Sequence, residues 1–352
     1  MTNSKYFIPD PVLDEREVQL LNIKTERYKR LIEPGRIAKL GKKAGQLIPK
    51  EAKALVKAAK AGLTEQELYQ KCMEVLSKGF NTMEKYAANV TISDKTVVKK
   101  ANEATKQNEI CNMDEICLAR AYDIIPSVNR FRKGNLLAAT IEGGATGFFG
   151  FAGIPFNLVL STFLFYRAVQ SVAMFYGYDV KNNPDELVIA GDVFANAMSP
   201  TSQGSSEIGS AITKVMAFTE VTVVKQTAKK TWTDMASKGG IPLLLTQIRA
   251  LANKAASKAL EKAGETSLEF GIFKKIFEQI GKKLTKKVIS RGVPLIGAGI
   301  GAIFDLKQME TILEYADIFY CKRFIAEKEQ RICMLVGNKD MIIDVDYQVV
   351  EE

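Results

Sequence analysis

Apolar positions recur at helical spacing along most of the chain, and two stretches depart from this by being apolar on every side. Leu13, Leu20, Leu21, Tyr28 and Leu31 predict a first helix that opens at Asp10-Pro11, a cap followed by proline at the first helical position. It runs to about Ile32 and ends at Glu33-Pro34-Gly35. Residues 36–60 carry eight basic side chains and one acid, Glu51, around Leu40, Leu47, Leu55 and Val56, which predicts two short basic helices parted at Pro49. Thr64 and Glu67 form a capping box for a helix with Leu68, Cys72, Val75, Leu76 and Phe80 inward. A further helix is expected from about Thr96 to Ile125, stopped or kinked by Pro126, with Ile110, Met113, Cys117 and Ile124 inward and Cys111 and Cys117 as packing residues.

The first all-apolar stretch, Gly143 to Tyr166, is 24 consecutive residues without a charge, five of them glycine, with Pro155 in the middle. Proline and clustered glycines argue against one straight helix. The stretch reads as a helical hairpin bent near Gly150 to Gly153, with arms Gly134–Phe149 and Pro155–Tyr178 that each hold one charge, Glu142 and Arg167. Those two charges are the candidates for a buried ion pair pinning the arms, against the alternative that each reaches a surface. Gly143 and Gly147 have GxxxG spacing, which lets helix backbones approach closely in lipid or in a soluble core. Arg130, Arg132 and Lys133 before the hairpin and Lys181 after it would keep both ends on the cytoplasmic side of any membrane it entered.

Beyond it, Asp185 to about Ala197 reads as helix, Ser199 to Glu207 as loop, and Ile208 to Thr231 as helix despite its β-branched TEVTVV. Phe273 to Ser290 is the clearest amphipathic element: Phe273, Ile276, Phe277, Ile280, Leu284 and Val288 form a stripe, and Lys274, Lys275, Lys282, Lys283 and Lys286 lie largely off it. It suits either an anionic bilayer surface or an ordinary solvated helix face. The second all-apolar stretch, Gly292 to Phe304, opens with Pro294 and repeats GxxxG at Gly297 and Gly301. Its thirteen residues rise only about 20 Å as helix, too short to cross a bilayer. It is expected to pack against the first hairpin. Asp305 to Arg331 continues as helix with Leu306, Met309, Leu313, Ala316, Tyr320 and Phe324 in a stripe. The end, residues 332–352, offers a small β-hairpin about Gly337-Asn338 or an acidic tail. The whole predicts an all-α fold: an N-terminal helical arm over 1–35, one large helical domain over 36–331 in which the glycine-rich hairpin packs against a second glycine-rich helix, and the tail.

Composition narrows the chemistry. The chain has no histidine, which removes Ser-His-Asp and Cys-His catalysis, HExxH zinc binding and an imidazole base. Five cysteines without a CxxC pair indicate reduced thiols in a cytosol rather than a disulfide framework. GRIAKLGKKAG, Gly35 to Gly45, fails as a phosphate loop because its glycines are one residue too far apart and Lys43 stands where Ser or Thr is needed. The first residues show no apolar segment or cleavage site of a secretory signal. The net charge of +9 is uneven: Lys214 to Arg291 carries 16 basic and 6 acidic side chains, and Asp305 onward 6 and 11. A basic middle favours an anionic partner.

The string GNLLAATIEGGATGFFGFAGIPFNLVLSTFLFYRAVQSVAMFYGYD, Gly134 to Asp179, resembles the first signature of the EcsC family of bacterial proteins, and RGVPLIGAGIGAIFD, Arg291 to Asp305, resembles its second. Asn157 and Asp305 stand where the family tends to have aspartate and asparagine. The resemblance implies Glu142, Gly143, Gly147, Tyr176, Gly177, Asp179, Pro294, Gly297 and Gly301 as signature residues, with structural rather than catalytic roles. It also implies a tie to a transport system and no settled catalytic activity.

Three readings follow. The first is a cytoplasmic, membrane-associated helical protein, peripheral or conditionally inserted at the inner face of the cell membrane, acting as an accessory or membrane-perturbing, pore-forming factor with a protein partner in a transport or effector system. The second is a carboxylate- or metal-dependent enzyme centred on Glu142, Asp179 and Asp305. The third is a soluble interaction module whose hairpin is core. No cofactor, metal site or catalytic residue is indicated by motif, and nucleic-acid binding ranks last because no aromatic side chains interleave the basic ones.

Overall fold

The computed structural model describes residues 6–33, 70, 92–105, 108–145, 153–198, 200, 206–219, 240–263, 268–289 and 306–337; for 135–145, 153–161, 262–263, 279–289 and 306–308 it describes the backbone alone. Every regular element among these is helical, so the fold is all-α. Helix α1 spans Glu15–Ile32. It starts later than Asp10-Pro11 because Asp14 and Glu17 form a reciprocal capping box, with the Asp14 carboxylate accepting from Glu17 N at 2.9 Å. Leu13, Leu21, Tyr28 and Leu31 are buried and Leu20 partly so.

The single helix expected from Thr96 to Ile125 is three elements: α2, Asp94–Ala104, a 3-10 turn at Asp114–Leu118, and α3, Ala121–Ala145. The reason is side-chain competition for the backbone. Asn102 both donates to and accepts from Ile110, Asn112 accepts from Asp114 N and Glu115 N, and Glu115 accepts from Cys111 N. Pro126 lies inside α3 rather than ending a helix. Cys117 is buried as expected, but Cys111 is exposed.

Helix α4 is Gly153–Phe175 and α5 is Pro184–Ala197, capped by the Asn183 side chain on Asp185 N and Glu186 N with Pro184 at its start. Helix α6, Glu207–Ala217, is capped by Ser206 and ends where Phe218 turns extended, so the helix read from Ile208 does not run unbroken to Thr231; residues 220–231 lie outside the described residues. Two long helices follow, α7 at Ile241–Ala263, marked by no pattern singled out above, and α8 at Leu268–Ile289. The last, α9, runs Leu306–Leu335, so Ile332 to Leu335 are helical rather than the first strand of a hairpin.

Helix α9 is the axis of the molecule and packs against α1, α3, α4, α5, α6 and α7. Around it α4 packs on α3 and α5, and α8 covers α5 and α7. Helix α4 is buried all round from Thr162 to Phe175 except at half-buried Arg167, so the end of the charge-free run, Thr162 to Tyr166, is core. The apolar side of α8 is also core: Phe273 packs edge-on against Phe163 at 5.1 Å and stacks on Tyr166 at 6.1 Å. Gly191 permits this approach, since a Cβ there would lie 2.9 Å from Ile276 Cδ1 and 3.0 Å from Ile272 Cγ2. Helices α3 and α4, which correspond to the hairpin arms, touch each other; the bend, the second glycine run with Pro294, Gly297 and Gly301, the basic stretch 36–60, the helix from Thr64 and the tail from residue 338 lie outside the described residues.

Candidate functional site

A helix with α9's sequence should keep its charges in water, yet Asp317, Lys322, Arg323, Glu327, Lys328 and Arg331 are all buried. Burial is tolerable because other helices supply partners. Asp317 accepts from Lys24 of α1 at 2.5 Å, from the Tyr176 hydroxyl at 2.7 Å and from Arg132 of α3 at 3.4 Å. Burial alone would raise its pKa, but Lys24 and Arg132 outweigh it and hold the carboxyl below its usual range. Arg323 grips Glu186 of α5 through two bonds of 2.6 and 2.7 Å and reaches Glu327 at 3.0 Å. Arg249 of α7 meets Glu327 at 2.9 Å. Burial again pushes the Glu327 carboxyl up, and the two arginines bring it down to about 2. Lys328 meets Glu17 of α1 at 2.7 Å, and Glu17 also accepts from Arg120 at 3.0 Å and from Ala121 N at 2.9 Å, the start of α3.

The turn between α4 and α5 docks onto this column. The Tyr176 hydroxyl donates to Asp317, and the Tyr178 hydroxyl donates to Glu327 at 3.2 Å while its ring lies under Arg323 and Arg331, at 4.1 and 4.8 Å. Arg331 donates to the carbonyls of Tyr176 and Gly177, each at 2.9 Å. Gly177 holds φ +77°, and a Cβ there would come within 2.5 Å of Arg331 Nη2 and 2.9 Å of Met113 O, so glycine is required twice over. Asp179 accepts from Lys181 N, Asn182 N and Asn182 Nδ2, closing the turn that leads into α5. Tyr176, Gly177 and Asp179, marked in sequence, are therefore brought together as a joint.

A scan against protein-family models matches residues 17–325 to the EcsC protein family. The chain belongs to the EcsC family. No curated protein and no solved structure matches it. The match begins within α1 and ends within α9, so it takes in the charged column from Glu17 to Arg323 while Glu327, Lys328 and Arg331 lie beyond it.

The other marked positions of this EcsC chain fall elsewhere. Glu142 and Gly143 are on α3, with the Glu142 side chain outside the described residues, as is Gly147. Arg167 meets Glu269 of α8 at 3.2 Å and Gln170 at 3.3 Å, so it ties α4 to α8; a bond to Glu142 lies outside the described residues. Lys274 and Lys275 are exposed on α8, and Lys282, Lys283 and Lys286 are helical with side chains not described. Among the described residues no group of three Cys, Asp or Glu is placed to hold a metal, and no helix is long and apolar enough to cross a membrane. An open groove of about 840 Å³ is lined by Asp94, Lys95, Lys99, Glu103, Asp114 and Asp179, charges of both signs.

Sequence reasoning missed Lys24, Glu186, Asp317, Arg323 and Glu327, because a charge at helical spacing reads as solvated until its partner is known. Only Arg323 and Glu327, four apart on one helix, carry a local signal.

Proposed function

We propose that this EcsC protein is a peripheral protein of the cytoplasmic membrane face, held by the attraction of its lysine-bearing helices for anionic lipid and acting there as an accessory to another membrane component. One observation carries the reading. Lys254 and Lys258 on α7 and Lys274 and Lys275 on α8 are all exposed, and among the described residues none of the four is in an ion pair. Helices α7 and α8 pack together, and both turn their apolar sides inward: Ile248, Ala252, Ala256, Phe273, Ile276 and Phe277 are buried. With that apolar surface used by the core, the contact with lipid is electrostatic and superficial, strong at low ionic strength and screened by salt. The surplus of ten positive charges over Lys214 to Arg291 points the same way.

The test is flotation of the full chain with vesicles of phosphatidylcholine alone and of phosphatidylcholine with phosphatidylglycerol. Flotation is expected only on the anionic vesicles, with release at roughly 0.5 M salt, where the Debye length is about 4 Å. The combined K254E, K258E, K274E and K275E variant should keep its helicity and lose flotation. Equal flotation on neutral vesicles, or an unaffected variant, would reject the electrostatic reading.

A further inference from the structure

Helix α9 ends between surfaces of opposite charge. It stops at Leu335, and residues 338–352, outside the described residues, hold five acids, Asp340, Asp344, Asp346, Glu351 and Glu352, against one base, Lys339. The 3-10 turn at Asp114–Leu118, which packs against Ile332, brings Asp114 and Glu115 and so repels an acidic segment. Helix α7 brings the opposite sign: Arg249, Lys254, Lys258 and Lys262 against Glu261.

The tail leaves the molecule at the end where those lysines lie. Arg249 meets Glu327, and Asn253, one turn on, meets Asp185 in the first turn of α5 at 3.5 Å. No residue of α7 before Asn253 is exposed, whereas Asn253, Lys254, Ser257, Lys258, Leu260 and Glu261 all are, so α7 emerges past the start of α5. Helix α9 passes the same place, because Arg331 donates to Tyr176 and Gly177 in the turn that leads into α5. Counted from the Arg249–Glu327 pair, Lys258 is nine residues on and Leu335 eight, about 13 and 12 Å of helix. Asp344, nine residues past Leu335, has a reach of up to about 30 Å in an extended chain.

The spacings match as well as the signs. Lys254 and Lys258 are both exposed and one turn apart, about 6 Å along the helix axis. In an extended chain successive side chains alternate, so Asp344 and Asp346 fall on one side about 7 Å apart. We propose that residues 338–352 dock on the exposed half of α7, with Asp344 and Asp346 against Lys254 and Lys258, and so compete with anionic lipid for the same lysines. The competition rests on the attraction to anionic lipid proposed above; the docking does not. The tail is then a cover built into the chain, which an anionic surface displaces.

The experiment treats the native full chain at low salt with a carbodiimide, which joins a carboxylate to a lysine amine as an amide, and maps the links in the monomer band by mass spectrometry. Links from Asp344 or Asp346 to Lys254 or Lys258 are expected. Tail carboxylates linked only to other lysines, or to none, overturn the docking. Flotation on vesicles containing phosphatidylglycerol then tests the competition. The full chain carrying D340N, D344N, D346N, E351Q and E352Q should float at roughly tenfold less lipid than the native chain, the effect of releasing two exposed ion pairs. A control neutralised at five other exposed acids, Asp10, Glu15, Glu33, Glu109 and Glu310, changes the net charge equally and should gain less than about threefold. Equal gains would mean bulk charge alone and overturn the competition. If none of the three chains floats, the attraction to lipid fails and the competition with it, while the cross-links still decide the docking.

Discussion

At Gly177 two independent constraints fall on one residue. Its φ of +77° penalises any side chain, and the space a Cβ would take is held by the Arg331 guanidinium and the Met113 carbonyl. The Gly177→Ala variant should lose about 2 kcal/mol or more of stability, read as a shift in denaturation midpoint; a loss below about 0.5 kcal/mol would mean the turn relaxes freely. Arg323 poses the complementary case, a buried cation between two buried carboxylates. Replacing it with Met leaves Glu186 without that partner and Glu327 with Arg249 alone, and should cost about 3 to 5 kcal/mol. The exposed Lys29–Glu26 pair, by contrast, can be deleted without measurable change, because water and salt already screen it. Tyr176, Gly177 and Asp179 were legible as important from their clustering in the first signature. What they do was not, since Asp317 lies 141 residues from Tyr176 and Glu327 149 from Tyr178, and no local pattern announces such partners.

At the scale of elements, α9 is the helix whose pattern misleads most. The stripe Leu306 to Phe324 is present, but the remaining faces are buried as well, so the charges on its continuation and beside it become the internal fasteners of α1, α3, α5, α7 and the turn after α4. These fasteners make stability depend on acid. A carboxylate whose folded pKa is depressed binds fewer protons folded than unfolded. Its contribution is thus complete above the unfolded value and is lost as pH falls through the folded one. For Glu327 the window runs from 4.5 down to about 2, and its share is on the order of 3 kcal/mol; Asp317 shifts in the same direction. Urea midpoints measured from about pH 5 downward should fall through that window, and the fall should be shallower in Glu327→Gln. A midpoint independent of pH there would mean the column holds no differential charge. Helix bounds beside prolines were legible to within a residue, as for the helix read from Asp185 to Ala197 and at Ile32, the end of α1, whereas the cap of α1 was misplaced at Asp10-Pro11. The 105–120 segment was not legible, because Asn102, Asn112 and Glu115 compete with the helix in a way that spacing alone does not show.

For the whole molecule, the division of the charge-free run decides how it could meet a membrane. From Thr162 onward helix α4, which carries the end of that run, is enclosed by α3, α5 and α9, fixed just past its C-terminal end by the Tyr176–Asp317 and Tyr178–Glu327 bonds and on its flank by Arg167 and Glu269. Moving that helix into lipid would open the buried column and leave Asp317 and Glu327 each short of a partner, which is costly unless something replaces the lost bonds. Surface docking through Lys254, Lys258, Lys274 and Lys275 requires no such opening. The two modes separate in hydrogen exchange of the full chain, free and bound to anionic vesicles. Docking predicts that amides of Phe163 to Phe175 keep their protection to within about tenfold on binding, because the column stays closed. A loss of roughly a hundredfold or more, confined to α4 and its neighbours, would mean that binding extracts the helix. The lysines would then serve as the first contact of an inserting protein, and dye release from the same vesicles should rise in step.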